Sequence, residues 1–277
     1  MTTLQRLSRD PVGMFSLVLL GTIIGAIIFA PWLTGYAAQG LGAPGPDRLL
    51  PPSSEHIMGT DQLGRDLWAR ILFGGRISVS VAVLVVFLAI GIGVPLGIIA
   101  GYFGGWVDQI IMRTTDVFLA FPPLLLAIFL SAILGPGFGN LILAIGLGWW
   151  PWYTRIARAQ VVSLRQRPFV EAAEFMGVGH GSIMRRHLAP FVVNPVIVQA
   201  TLDLGAAILT AAALSFLGLG IAPPTPDWGQ IIAEGRAHFP ARWWYVTFPG
   251  LAIFVVAVGF NLLGDSLRDA LDTRGQS

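Results

Sequence analysis

The chain has 277 residues, 55% of them hydrophobic and only 12% charged, with a formal net charge of +2. Soluble domains carry about 25% charged residues, so a mean hydropathy of +0.72 excludes a water-soluble globule and reads as an integral membrane protein. Cysteine and lysine are both absent, which excludes disulfides, thiolate metal sites, a Walker-type P-loop and Schiff-base chemistry on this chain; the small net charge gives no support to a nucleic-acid partner.

A helix needs about 20 apolar residues to cross a bilayer, and charge-poor stretches predict six crossings. The first covers residues 12–33 behind Arg6 and Arg9. Its apolar part is longer than a signal-peptide core, so it reads as an uncleaved anchor. Residues 34–76 follow as an outer segment. Its start is irregular with Gly and Pro, and its end, residues 66–73, places Leu67, Trp68, Ile71 and Leu72 on one helical face. Arg65, Asp66 and Arg70 are left for the polar side. A short helix lying in the interface and an ordinary packed loop helix both fit.

The second crossing covers residues 77–101. The third covers 108–134 and passes Arg113 and Asp116, and a Gly135-Pro136-Gly137 break turns it into a fourth over 140–153. The fifth covers 191–220 and the sixth 243–264. Trp and Tyr gather near the ends of these spans, as membrane interfaces favour: Trp32 and Tyr36, Tyr102 and Trp106, Trp149 to Tyr153, Trp243 to Tyr245. With the N-terminus inside, Arg6, Arg9, Arg155, Arg158, Arg165, Arg167, Arg185, Arg186, Arg268 and Arg274 fall inside, against Arg48, Arg65, Arg70, Arg76, Arg236 and Arg242 outside. The inside excess fits the positive-inside rule, with both termini cytoplasmic.

Residues 155–190 form an inner segment far longer than a helix connection needs. Within it, residues 167–177 predict a complete short helix, Pro168 in the first turn and Gly177 as the stop. Ala172 and Ala173 are small enough to let another surface approach. A second short helix is expected over 182–187, stopped before Pro190. Two short helices on a Gly-rich turn make a knob for a partner's groove; an Arg-rich hairpin lying on anionic lipid fits as well. The last outer segment, 221–242, predicts a helix starting at Thr225-Pro226, with Trp228, Ile231 and Ile232 as its apolar face and Gly235 as its stop.

Asp203 falls inside the fifth span, where an ionised carboxylate costs about 2.5–3.5 kcal/mol on insertion scales. It is expected to line a polar route with Asn194 and Gln199, or to pair with Arg113 or Arg155. Asn261 and Asp265 are placed to bond a neighbouring helix, or Asp265 is simply solvated at the membrane boundary. His56, His180, His187 and His238 have no metal-ligand spacing, so no metal site is expected.

Glu171-Ala172-Ala173, then Gly177, then His187-Leu188-Ala189-Pro190 resembles the EAA loop of bacterial ABC-importer membrane subunits. Gly59-Thr60-Asp61-Gln62-Leu63-Gly64-Arg65-Asp66, Ser215 to Gly220 with Pro223, Pro224 and Asp227-Trp228-Gly229, and Asn261-Leu262-Leu263-Gly264-Asp265 resemble the C-type subunit of the dipeptide/oligopeptide/nickel permease family. The likeness covers nearly the whole chain, with one departure: the loop ends in His187-Leu188-Ala189-Pro190 where the wider family often has Ile-x-Leu-Pro.

The resemblance implies an all-α, six-span type I importer permease, a single transmembrane domain over 1–277 in the bacterial cytoplasmic (inner) membrane. It implies import of di- or oligopeptides, with nickel, glutathione or another small solute as the alternative cargo. It implies a homologous second permease subunit, two ATPase subunits that hold ATP and Mg, and a periplasmic or lipoprotein binding protein. Glu171, Ala172, Ala173, Gly177, His187 and Pro190 would engage the ATPases. The rival from another class is a self-sufficient channel or secondary transporter, though no inverted repeat is visible. Without a nucleophile, base or metal constellation, no catalytic residue and no cofactor are assigned to this chain.

Overall fold

The computed structural model describes residues 10–271, and among them every regular element is helical. Arg6, Arg9 and Arg274, used above for orientation, lie outside the described residues.

Helix α1, Pro11–Ile28, starts where Asp10 accepts hydrogen bonds from the amides of Val12 and Gly13 and Pro11 takes the first turn. Two single-turn pieces follow, α2 (Ala30–Leu33) and α3 (Ala37–Gly40). Helix α4, Leu67–Phe103, is 37 residues long and begins at Asp66, which accepts from the amide of Ala69. At 1.5 Å per residue it spans about 55 Å. The separate interfacial helix expected at 66–73 is therefore the first two turns of α4. Gly74 and Gly75 lie at the expected boundary but do not stop the helix: they are buried where Trp228 and Ile27 pack against them, so they serve close approach rather than a turn, and Leu67, Ile71 and Leu72 are buried by the chain itself.

The expected third span is broken. Helices α5 (Gly105–Leu119) and α6 (Pro123–Leu134) meet at a bend of 85°. Pro123 pushes Pro122 into extended backbone, with ψ 125°, because a residue before proline avoids the helical region. Gly135 and Gly137 then reverse the chain as expected, with φ of 76° and 157°. Helix α7, Phe138–Arg165, outruns its expected span by twelve residues and carries Arg155, Arg158 and Arg165.

Helix α8 is Pro168–Phe175. Helix α9, His180–Ser182, passes through a π-helical turn, Ile183–Leu188, into α10, Ala189–Phe216. Pro190 does not end a helix as expected. It sits in the first turn of α10, where a proline's missing N–H costs nothing, and the widened π turn lies just ahead of it. Helix α11, Trp228–Gly235, is capped by Asp227, which accepts from the amides of Gly229 and Gln230; it starts after the expected Thr225-Pro226 pair. The last helix is α12, Trp244–Leu271.

Helices α1, α4, the His180–Phe216 run and α12 are long and apolar enough to cross a membrane, and the bent α5–α6 pair makes a fifth. Helices α4 and α7 pack closest. Gly93, Gly97 and Gly101 of α4 press against the α7 backbone at Trp150, Thr154 and Arg158, where any Cβ would collide. Small residues let two membrane helices gain dispersion contact along their backbones. Gly205 and Gly264 do the same between α10 and α12.

The Leu67 end of α4 is covered by residues 34–66 and by α11. Arg65, Asp66 and Arg70, expected on a polar side, are buried at 2%, 2% and 0% exposure. Arg65 and Arg70 both donate to Asp61 and to Glu234 of α11, with Arg70 at 2.8 and 2.7 Å. Asp66 pairs with His56 at 2.9 Å. Charges this deep persist only when paired and hydrogen-bonded, so the network clamps the cap onto α4.

Candidate functional site

At the other end of α4 stands the loop of residues 166–188. Arg167 is extended and Pro168 occupies the first turn of α8. The helix stops as the sequence predicts. Gly177 has φ of 75°, its amide donates to the carbonyl of Glu174 at 2.9 Å, and the amide of Val178 donates to the carbonyl of Ala173 at 3.1 Å. This is a Schellman stop, which favours glycine because L side chains resist positive φ. A Cβ at Gly177 would meet nothing within 4 Å, so the backbone alone demands glycine.

Val170 and Ala173 point inward and are buried with Ile183 and Leu188 in the main core. Glu171 and Ala172 are exposed on the opposite side. Phe175 is 91% exposed and Met176 76%. Two large apolar side chains therefore stand in the open on a turn that the core holds from beneath. His187 is half-buried in the π turn and its Nδ1 has no hydrogen-bond partner; Pro190 is exposed at the start of α10. The six residues expected at the docking surface thus divide. Glu171, Ala172 and Gly177 lie on the protrusion, Ala173 seats it, and His187 and Pro190 join it to α10.

Tyr102, in the last turn of α4, links that helix to the loop. Its ring is 3% exposed. Its hydroxyl donates to Glu174 Oε1 at 3.1 Å and lies 2.7 Å from His180 Nδ1. The Arg165 guanidinium sits 5.9 Å above the ring. A cavity of about 450 Å3 opens between Tyr102, Arg165, Glu174 and His180.

Within the helices, Asp203 of α10 accepts from the Tyr153 hydroxyl of α7 at 2.7 Å and from Gln199 Nε2 at 2.8 Å. Neither expected cation reaches it. Arg155 pairs with Asp116 at 2.7 Å, and Arg113 is exposed on α5. Two neutral donors, one to each oxygen, satisfy the buried carboxyl group without a cation. Asn194 is exposed nearer the loop end and does not join this group. Asn261 donates to the carbonyl of Ala257 on its own helix at 2.8 Å rather than to a neighbour, and Asp265 is exposed. Among the described residues, no group of three or more His, Cys, Asp or Glu could hold a metal ion.

Sequence reasoning passed over Tyr102, Phe175 and Met176. An aromatic at a span end reads as an interface anchor, and Phe and Met in a short helix read as core. Only the burial of Val170 and Ala173 shows which face of α8 is left over.

Two family models match. The binding-protein-dependent transport system inner membrane component covers residues 93–275. The N-terminal TM domain of oligopeptide transport permease C covers residues 2–52. Among curated relatives, a dipeptide transport system permease protein (DppC) of Alkalihalophilus pseudofirmus is 43% identical over 99% of this chain and 89% of its own length. A glutathione transport system permease protein (GsiD) of Pectobacterium atrosepticum is 42% identical, over 99% of this chain and 90% of its own. A nickel transport system permease protein (NikC) of Escherichia coli is 40% identical, over 93% and 92%. Among solved structures, an inward-facing MetNI methionine ABC transporter matches with a TM-score of 0.57 at 18% identity, over 74% of this chain and 97% of that one.

Proposed function

Since this chain belongs to the binding-protein-dependent inner membrane permeases of ABC importers, we propose that it is the C-type membrane subunit of an importer for di- or oligopeptides, worked by separate ATPases through the α8–Gly177 protrusion. The chain is a multi-pass protein of the cytoplasmic membrane. In the proposed topology it crosses six times, α7 making one crossing, and both termini lie in the cytoplasm with the protrusion. A homologous second permease subunit completes the path, two ATPases seat against the protrusions, and a binding protein delivers solute to the cap end.

One observation carries this reading: Phe175 and Met176 stand exposed on a turn fixed from below by Val170 and Ala173. Burying a side chain of that size in a partner's groove contributes about 1.5–3 kcal/mol. Because the turn is held rigidly, little of that is lost to ordering it on binding. ATP binding that draws the ATPases together then moves the two protrusions, and the helices attached to them switch the path between its two openings. The peptide assignment is supported by the match of residues 2–52 to the oligopeptide permease segment and by the dipeptide relative. Asp203, Gln199 and Asn194 are the polar groups proposed to line the route.

The test is retention of the ATPases. Changing Phe175 and Met176 together to Ala should weaken retention in the purified complex by roughly tenfold or more while the two membrane subunits stay paired. Full retention would overturn the docking assignment. The cargo is read by mass spectrometry of the small molecule that co-purifies with the binding protein. A di- or oligopeptide other than glutathione supports the assignment, and nickel or glutathione overturns it.

A further inference from the structure

The loop continues covalently from α7 at Arg165 and, through the π turn, into α10, and Val170 and Ala173 seat it in the core. A further attachment, to the end of α4, is the Tyr102 hydroxyl. It donates to Glu174 Oε1 at 3.1 Å and, its single proton so used, accepts from His180 Nδ1–H at 2.7 Å. Glu174 precedes the exposed Met176-Gly177 turn and His180 follows it, so one hydroxyl holds both flanks of the turn to the end of α4.

Helix α4 is suited to carry what that hydroxyl delivers. It is unbroken over 37 residues. Gly93, Gly97 and Gly101 lock it against α7. Its far end is clamped to α11 by Arg70 with Glu234 at 2.7 Å, and by Trp228 Nε1 donating to the carbonyl of Ile71 at 2.9 Å. A displacement at the protrusion thus has a path to the cap along α4, besides the covalent ones through α7 and α10.

The geometry points to Tyr102 as a positioning residue that couples the protrusion to α4, so that events at the cap reach the ATPases through α4. This rests on the docking reading above. It also goes beyond it, since docking requires only Phe175 and Met176, whereas the latch decides what docking moves.

The experiment uses the complete importer in lipid vesicles and the binding protein as purified from its native host. It reads the ratio of binding-protein-stimulated to basal ATP hydrolysis, which needs no knowledge of the solute. Tyr102→Phe keeps the packed ring and removes both hydrogen bonds. It should lower the ratio roughly fivefold or more, within the range of coupling between linked sites. The Glu174→Ala and His180→Ala double variant should lower it as much, and adding Tyr102→Phe to that pair should lower it no further. Glu174→Gln, which keeps an acceptor oxygen, should retain the ratio.

In parallel, Met176→Cys reports docking through a cysteine-to-lysine cross-linker. With no native cysteine and no lysine side chain in this chain, the cross-link goes to the partner. A lowered ratio with the cross-link intact supports the latch. An unchanged ratio with the cross-link intact overturns the latch and leaves the docking reading standing. Loss of the cross-link on adding Tyr102→Phe means that the hydroxyl only holds the turn in shape, which also overturns it. Absence of the cross-link in a Met176→Cys chain with which the ATPases still co-purify removes the docking reading, and the latch falls with it.

Discussion

Arg70 has no exposed surface and donates to both Asp61 and Glu234. Removing one member of a buried ion pair leaves its partner uncompensated and costs about 3–5 kcal/mol. Arg70→Met should lose about that much in denaturant unfolding of the detergent-solubilised protein. Adding Glu234→Gln should recover part of the loss, because it restores the balance of charge between Asp61 and Arg65. Strictly additive losses would show that the pair is uncoupled.

Asp227, close by, follows a different logic. Burial pushes its carboxyl up to about 6, against the Gln230 and Gly229 amides and the Ser215 hydroxyl, which favour the ionised form. An acid whose folded pKa lies above its unfolded value of 3.8 stabilises the fold most when protonated. That stability is lost as pH rises from about 4 to about 6 and stays flat above. Asp227→Asn keeps an oxygen to cap α11 and cannot ionise. Its melting temperature should gain on the parent's across that window. Parallel curves would mean that Asp227 does not titrate there.

Helix α8 divides its neighbours between two tasks, and adjacent alanines test the division. Ala173 is 2% exposed in the core beneath the loop. A glutamate there buries a charge without a partner, so Ala173→Glu should unseat α8 and open residues 166–180 to limited proteolysis. Ala172 is exposed. Ala172→Glu should leave proteolysis at the parental level and reduce only ATPase retention. Equal proteolysis of the two variants would contradict the assignment of faces. At the stop of α8, Gly177→Val has open space and a forbidden φ, so it should cost roughly 1–2 kcal/mol through the backbone alone.

Across the molecule, the proposed topology puts the cap and the protrusion on opposite sides of the membrane. Helix α4, about 55 Å long, joins them, and that exceeds a hydrocarbon core of about 30 Å. The chain has no cysteine, so single reporters label cleanly. Ile57, 65% exposed in the cap, and Met176, 76% exposed on the protrusion, should as cysteines react with a membrane-impermeant maleimide in opposite preparations. Ile57→Cys should label in intact spheroplasts and Met176→Cys only in inverted vesicles prepared without the ATPases, which would otherwise cover it. Labelling of both from one side would overturn the topology.

What residue order alone determined here was local. Composition placed the chain in a membrane, and runs of apolar residues located the first, second, fifth and sixth spans. Pro168 and Gly177 marked both ends of α8 before any contact was known, because caps and stops act within one turn of the residue that makes them. The bend at Pro122–Pro123 was local too, and apolar content masked it. Only the tertiary structure decided the rest. The Arg70–Glu234 pair joins positions 164 apart, Asp203 found Tyr153 at a separation of 50, and Tyr102 met Glu174 across 72. A charge or hydroxyl finds its partner through space, after helices have packed on glycine faces and apolar seats. A periodicity written along the chain carries no record of which partner that will be.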